Sequence, residues 1–197
     1  MNSGRATLIL WTGPKHSGKT TAATELTEAM RRSGFTVGGF LAPSIYRQKQ
    51  LVGFDILDLH SGHRARLAER KPKGSDVVGF AFRDQGVQLG KQALQSAVTS
   101  RVDLVAVDEF GPLELDGRGW RSDVESLLAS SVPVLLLVVR DDVVEDVLRL
   151  HHTYSPHIVR AVDPHAAPKV GAILQAARNR ARAPGASDSE HLHGHLT

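Results

Sequence analysis

Near the start of the chain, Gly13-Pro14-Lys15-His16-Ser17-Gly18-Lys19-Thr20 sets two glycines, a lysine and a hydroxyl in the order G-x-x-x-x-G-K-[ST]. Each residue type answers a need of a phosphate site. A loop whose main-chain N–H groups wrap an anion requires glycine where a Cβ would obstruct the turn or the ligand. A helix that follows points its positive end at the charge. Lys19 supplies a mobile point charge for the β- and γ-phosphates, and the Thr20 hydroxyl is a hard oxygen ligand for Mg²⁺. The expected nucleotide-binding segment is Gly13, Pro14, Lys15, His16, Ser17, Gly18, Lys19, Thr20 and Thr21. Within it Lys15 and His16 would add positive charge over the γ-phosphate.

A second group of chemistry-bearing residues ends the apolar run Val102–Val107. Asp108 and Glu109 stand at the carboxyl end of a buried strand, where ligands sit in open α/β sheets. An aspartate there partners the loop threonine at the metal, so Thr20 and Asp108 are the metal-binding candidates. The acid beside it alternates to the other side of the strand end and can orient a water for attack on phosphorus, which makes Glu109 the candidate base. An arginine at a strand's end can stabilise transition-state charge, and Arg140, after Val132–Val139, fits that role better than Arg83. Lys19, Glu109, Asp108 and Arg140 are thus the catalytic candidates. The adjacent glutamate favours hydrolysis. A nucleotide-dependent phosphotransferase, or a nucleotide-binding adaptor for cofactor assembly with little turnover alone, stays as the alternative.

These residues need elements to carry them. Thr7–Thr12 is a short β-prone run before the loop. Thr20–Arg32 follows with Ala22, Leu26, Ala29 and Met30 at helical spacing, stopped at Ser33-Gly34. Thr36–Leu41 reads as a strand ending at Pro43, and Leu51–Leu59 with His63–Ala68 as a hairpin turning at Ser61-Gly62. Lys71–Gly74 is a basic loop, Val77–Phe82 a strand and Gln85–Ser100 a helix. Val102–Val107 and Val132–Val139 are apolar runs of the kind a parallel sheet covered on both faces demands. Helices are expected at Trp120–Ser130, Val143–His151 and Ala166–Arg182, and a weaker strand at His157–Val162. Strands alternating with helices argue for an α/β fold with a doubly wound, mostly parallel sheet and an inserted β-hairpin. One domain is expected over residues 1–183, with a disordered His-containing tail over 184–197.

Composition agrees. The 197 residues (21.3 kDa) are 41% hydrophobic and 23% charged, with mean hydropathy -0.17, which fits a globular chain that can fill a core. No apolar run approaches the length of a membrane span, and Leu8–Trp11 is too short for a signal sequence, so the expected location is the cytoplasm. With no cysteine there are no disulfides and no thiolate chemistry. A net charge of +3 suits a polyanionic small ligand as well as a polynucleotide; a nucleic-acid partner is possible but not indicated.

Several segments recur together. Gly13–Thr21, Gly39-Phe40-Leu41-Ala42-Pro43, Val52-Gly53-Phe54, Ser61-Gly62 with Leu67-Ala68, and Asp108-Glu109-Phe110-Gly111-Pro112-Leu113-Glu114-Leu115 resemble the THEP-type P-loop nucleoside-triphosphatases, in order, over about Leu8 to Val139. The resemblance implies a Rossmann-like P-loop sheet of the additional-strand, RecA-like class. It also implies Mg²⁺-dependent hydrolysis of ATP, GTP or other nucleoside triphosphates with broad base tolerance. By position, Lys19 and Thr20 would hold phosphates and magnesium, Asp108 would hold the metal through water, Glu109 would be the base, and Glu114 would line the same cleft. The chain departs from the family after Pro43. Ser44-Ile45-Tyr46, with Arg47 next, stands where a Glu-Val-Arg triplet is common, and a one-residue shift along a strand turns Arg47 to the opposite face.

Other residues carry weaker signals. Arg64 and Arg66 fit a wet strand face, and His151-His152 a favourable contact with a helix dipole. Arg178, Arg180 and Arg182 complement the end of the last helix or form a partner contact. His191, His193 and His195 are spaced for a metal ion on a segment that is costly to order.

Overall fold

Uninterrupted apolar strands must be covered on both faces, and β1 (Thr7–Gly13), β7 (Leu104–Phe110) and β8 (Val134–Arg140) form the centre of the sheet in the computed structural model, which describes residues 6–71 and 79–182. With β2 (Val37–Leu41) and β9 (His157–Arg160) they make a parallel block in the order β2-β7-β8-β1-β9. Side-chain alternation divides its core in two. Leu8, Leu10, Val105, Val107, Leu135 and Leu137 face α2 (Asp84–Thr99), α4 (Arg121–Ala129) and α5 (Val144–Leu150). Ile9, Trp11, Leu104, Ala106, Leu136 and Val138 face α1 (Lys19–Arg32) and α6 (Ala166–Arg182). The sheet is therefore doubly wound, as expected.

An antiparallel extension continues the sheet beyond β2. It consists of β3 (Ser44–Arg47), β4 (Gln50–Asp58), β5 (Arg64–Arg70) and β6 (Phe80–Phe82), with β4 pairing both β2 and β3 along one edge. The junction depends on Gly39. Its φ is +83°, and a Cβ there would lie 2.1 Å from the Ala106 carbonyl oxygen.

The expected elements are present with small shifts. The helix expected over Val143–His151 divides into a 3₁₀ turn at Asp141–Val143 and α5, and the last strand stops at Arg160. Three elements were not foreseen: β3, the single-turn α3 (Pro112–Leu115) that follows β7, and a 3₁₀ turn at His152–Tyr154. Most of the expected 71–74 loop, the start of the Val77–Phe82 strand and the tail lie outside the described residues. Among the described residues no helix is long and apolar enough to cross a membrane.

Candidate active site

The loop between β1 and α1 is closed by glycine. A Cβ on Gly13 would come within 2.9 Å of Ser17 Oγ, and Gly18 caps α1 from the left-handed region at φ 80°. The start of α1 has no side-chain cap and no acid in its first turn, so its free N–H groups and positive dipole end stay available to an anion. Ser17 Oγ is buried with no hydrogen-bond partner among the described residues. Lys19 is nearly buried and donates from Nζ to the Pro14 carbonyl at 2.8 Å, while its own carbonyl accepts from Trp11 Nε1 at 3.2 Å. The second contact ties the helix start to β1. Pro14, Lys15, His16, Gly18 and Thr21 are exposed along the mouth of the loop.

Strand parity aims Asp108 at this loop. It follows Leu104 and Ala106 on the face that α1 covers, and its buried carboxylate accepts from the Ala42 amide at 3.0 Å. Burial pushes its pKa up to about 6, with the Ala42 amide and the Thr20 side chain opposing the shift. The register then slips by one: Asp108 pairs with Val138 and Phe110 with Val139. Glu109 is the extra residue of this bulge and stands exposed, while Phe110 drops into the α4 and α5 side of the core beside Val107. Strict alternation does not foresee that step.

The sheet order separates the two motifs. β8 lies between β1 and β7, the arrangement of the additional-strand class, so the loop and the acids belong to strands two spacings apart, about 10 Å. Burial lowers the pKa of Lys19, and the fields of Glu109, Asp108 and Asp141 oppose that shift, so one lysine feels all three acids. Arg140 faces Gly13 across the β1–β8 pairing and lies 3.2 Å from Asp142, while Asp141 sits 3.7 Å from Arg160.

Glu114 is buried and spans the turn after β7. Its two carboxylate oxygens accept from the Gly111 amide at 2.9 Å and the Trp120 amide at 3.2 Å, and burial raises its pKa. Its oxygens are thereby engaged in holding the loop. Sequence reasoning missed this clamp and the Ala42 contact, although Gly111-Pro112 followed by Glu114 is a recognisable one-turn helix start.

The remaining candidates lie in other settings. Arg83 pairs with Glu69, whose carboxyl it holds below the usual range, and Arg66 lies 3.0 Å from Asp55. Arg47 lies on the exposed end of β3 and acts on the same Glu69. Arg178 binds Asp103 at 2.7 Å and covers the Phe35 ring, and Arg180 donates to Thr7 Oγ1, so these two arginines brace α6. His151 does not serve as a dipole partner: it is buried against Phe110, and burial lowers its pKa, which favours the neutral ring. The three tail histidines lie outside the described residues.

Comparison with known proteins agrees with this fold. The family described as NTPase matches residues 8–164. Nucleoside-triphosphatase THEP1 of Methanothermobacter thermautotrophicus is 33% identical over 134 residues, 67% of this chain and 76% of that protein. The protein of that name in Methanosarcina barkeri is 29% identical over 153 residues, 77% and 87% of the two chains. The solution structure of a human cancer-related nucleoside triphosphatase has a TM-score of 0.64 at 19% identity, over 88% of this chain and 98% of that one. The crystal structure of THEP1 from Aquifex aeolicus has a TM-score of 0.63 at 20% identity, over 85% and 98%. At those identities the structural likeness speaks for the fold.

Proposed function

The chain belongs to the nucleoside-triphosphatase family, and on that footing we propose that the Gly13–Thr21 loop and the Asp108–Glu109 strand end hydrolyse the terminal anhydride of a nucleoside triphosphate to diphosphate and phosphate. The observation that carries this reading is that the Thr20 side chain, at the start of α1, acts on the buried Asp108 carboxylate and favours its charged form, as Lys19 beside it also does, so the two motifs meet at one point.

The loop amides and the start of α1 bind the phosphate chain, and the orphaned Ser17 hydroxyl supplies one further donor. On binding, Lys19 exchanges the Pro14 carbonyl for phosphate oxygens and neutralises charge at the leaving group. Thr20 and Asp108 are hard oxygen donors that would hold Mg²⁺, Asp108 through water. The ion would supply electrostatic neutralisation of phosphate charge. Glu109, projecting from the bulge, orients a water and takes its proton as the O–P bond forms. Arg140 supports the developing charge from the neighbouring strand end, and its pairing with Asp142 sets its resting position. Most of the catalysis is positioning and electrostatics. Broad base tolerance is what the likeness to the nucleoside-triphosphatases implies.

Phosphate release from ATP, GTP, CTP and UTP, with and without Mg²⁺, tests the reading. Turnover of all four only with the metal is expected. Glu109→Gln should keep nucleotide affinity and lower turnover by about 10²–10³-fold. A Gln variant that hydrolyses at the parent rate removes Glu109 from its role.

A further inference from the structure

A cavity of about 700 Å³ reaches Asp108 and Glu109 but no residue of the 13–21 loop. The phosphate site and this cavity therefore share only the two acids. A single water occupies about 30 Å³ and needs no such chamber, whereas drug-sized ligands occupy clefts of roughly 300–1,000 Å³. Its walls are built for rings. Phe54 and Phe80 pack edge to face at 5.0 Å, Trp120 contributes a third aromatic surface, and Phe82 is 56% exposed.

The shape follows from how α2 seats. Cβ atoms on Gly86 and Gly90 would collide with the Arg66 carbonyl oxygen and with Trp120, so the helix lies tight on the hairpin at its glycines. Val87 and Lys91, one turn apart on the same helix face, line the cavity. Its charges are unevenly satisfied. Glu114 is held by two amides, Asp108 by the Ala42 amide, and Arg118 lies 3.4 Å from Asp116. Lys91 makes no ion pair among the described residues, and Glu109 stands exposed at the other end. The complementary ligand is flat and apolar in its body, negative where it meets Lys91, and a hydrogen-bond donor where it meets Glu109.

We propose that this cavity is a second ligand site, for a small aromatic molecule carrying an anionic group and a hydrogen-bond donor, and that its occupant sits beside the water-activating carboxylate. Only the second half rests on the role given to Glu109. Occupancy would then alter how water reaches Glu109 without touching the phosphate loop.

The probe is 1-anilinonaphthalene-8-sulfonate, an aromatic sulfonate with one N–H donor. The native full chain should bind it with 1:1 stoichiometry and blue-shifted emission, in buffer where near-ultraviolet circular dichroism reports intact packing. Val87→Trp should weaken binding at least tenfold by filling the cavity, and Lys91→Glu about five- to tenfold by reversing its charge. Lys19→Ala should bind the dye as the parent does, which separates this site from the nucleotide site. In the parent, saturating dye should lower kcat for ATP about threefold or more at unchanged KM. Absence of binding, or parental affinity in both cavity variants, overturns the site. A rise in KM alone places the dye on the phosphate loop and overturns it likewise. Dye bound in the cavity with no effect on kcat overturns its place beside Glu109. A parent that releases no phosphate refutes the hydrolytic reading while the dye measurements still decide the cavity.

Discussion

Two helices follow the carboxyl ends of β1 and β7, and their first turns are finished in opposite ways. The first turn of α1 holds no acid and no side-chain cap, its loop is largely exposed, and a buried serine hydroxyl beside it has no partner among the described residues. The first turn of α3 is closed by its own Glu114, which takes the Gly111 and Trp120 amides and lies buried. An N-terminus supplied with its own carboxylate is scaffold; one left without an anion is prepared to accept a foreign one. The closed turn also serves the open one, because it fixes the chain that leaves Glu109.

Removing the cation from the open turn has the largest expected effect. Lys19→Ala should lower phosphate release by about 10³-fold and abolish nucleotide binding in calorimetric titration. Opening the closed turn comes next. Glu114→Ala leaves two amides without acceptors and should cost about 3 kcal/mol in urea unfolding, with kcat falling more than KM changes. Glu114→Gln should recover part of both, since one oxygen remains. If the Ala variant keeps parental stability, the clamp is not a support.

Closing the open turn reverses the experiment. Thr21→Glu places an acid in the first turn of α1, where it should stabilise the fold by roughly 0.5 kcal/mol and raise KM for ATP severalfold. A variant with unchanged KM would show that the dipole end does not matter for binding.

The smallest effect concerns His151, which packs under Phe110 on the closed side. Its folded pKa lies below the ordinary 6.5, so below that pH the unfolded chain takes up protons that the folded chain refuses. Its contribution to stability is present above about 6.5 and is lost as pH falls through the window beneath. Asp108 acts with the opposite sign between 3.8 and about 6. Thermal midpoints from pH 8 to 5, compared between the parent and His151→Gln, isolate the histidine. The variant should show the shallower loss toward acid, and parallel curves would exclude His151 as a source of acid sensitivity.

Residues 13–20 and 102–109 were legible in the chain because their signals are short-range: glycine where the backbone needs room, a lysine and a hydroxyl beside it, an uninterrupted apolar run ending in acids. Helix periodicity placed α1, α2 and α6 within a residue or two for the same reason. β3 escaped because its four residues, largely exposed in the fold, carry no apolar alternation that would mark a strand. His151 was read as a polar helix end, since nothing near it in sequence announces the Phe110 ring that covers it.

By itself the sequence determined that one segment would form a glycine-bounded loop ahead of a helix and that two acids would end a buried strand, because local spacing and side-chain chemistry suffice for both. Only the tertiary structure decided that β8 separates them, that the Ala42 amide holds Asp108, that a bulge frees Glu109, and that Glu114 serves as a clamp. Each of those depends on the order and register in which distant segments pair, and no local spacing encodes them.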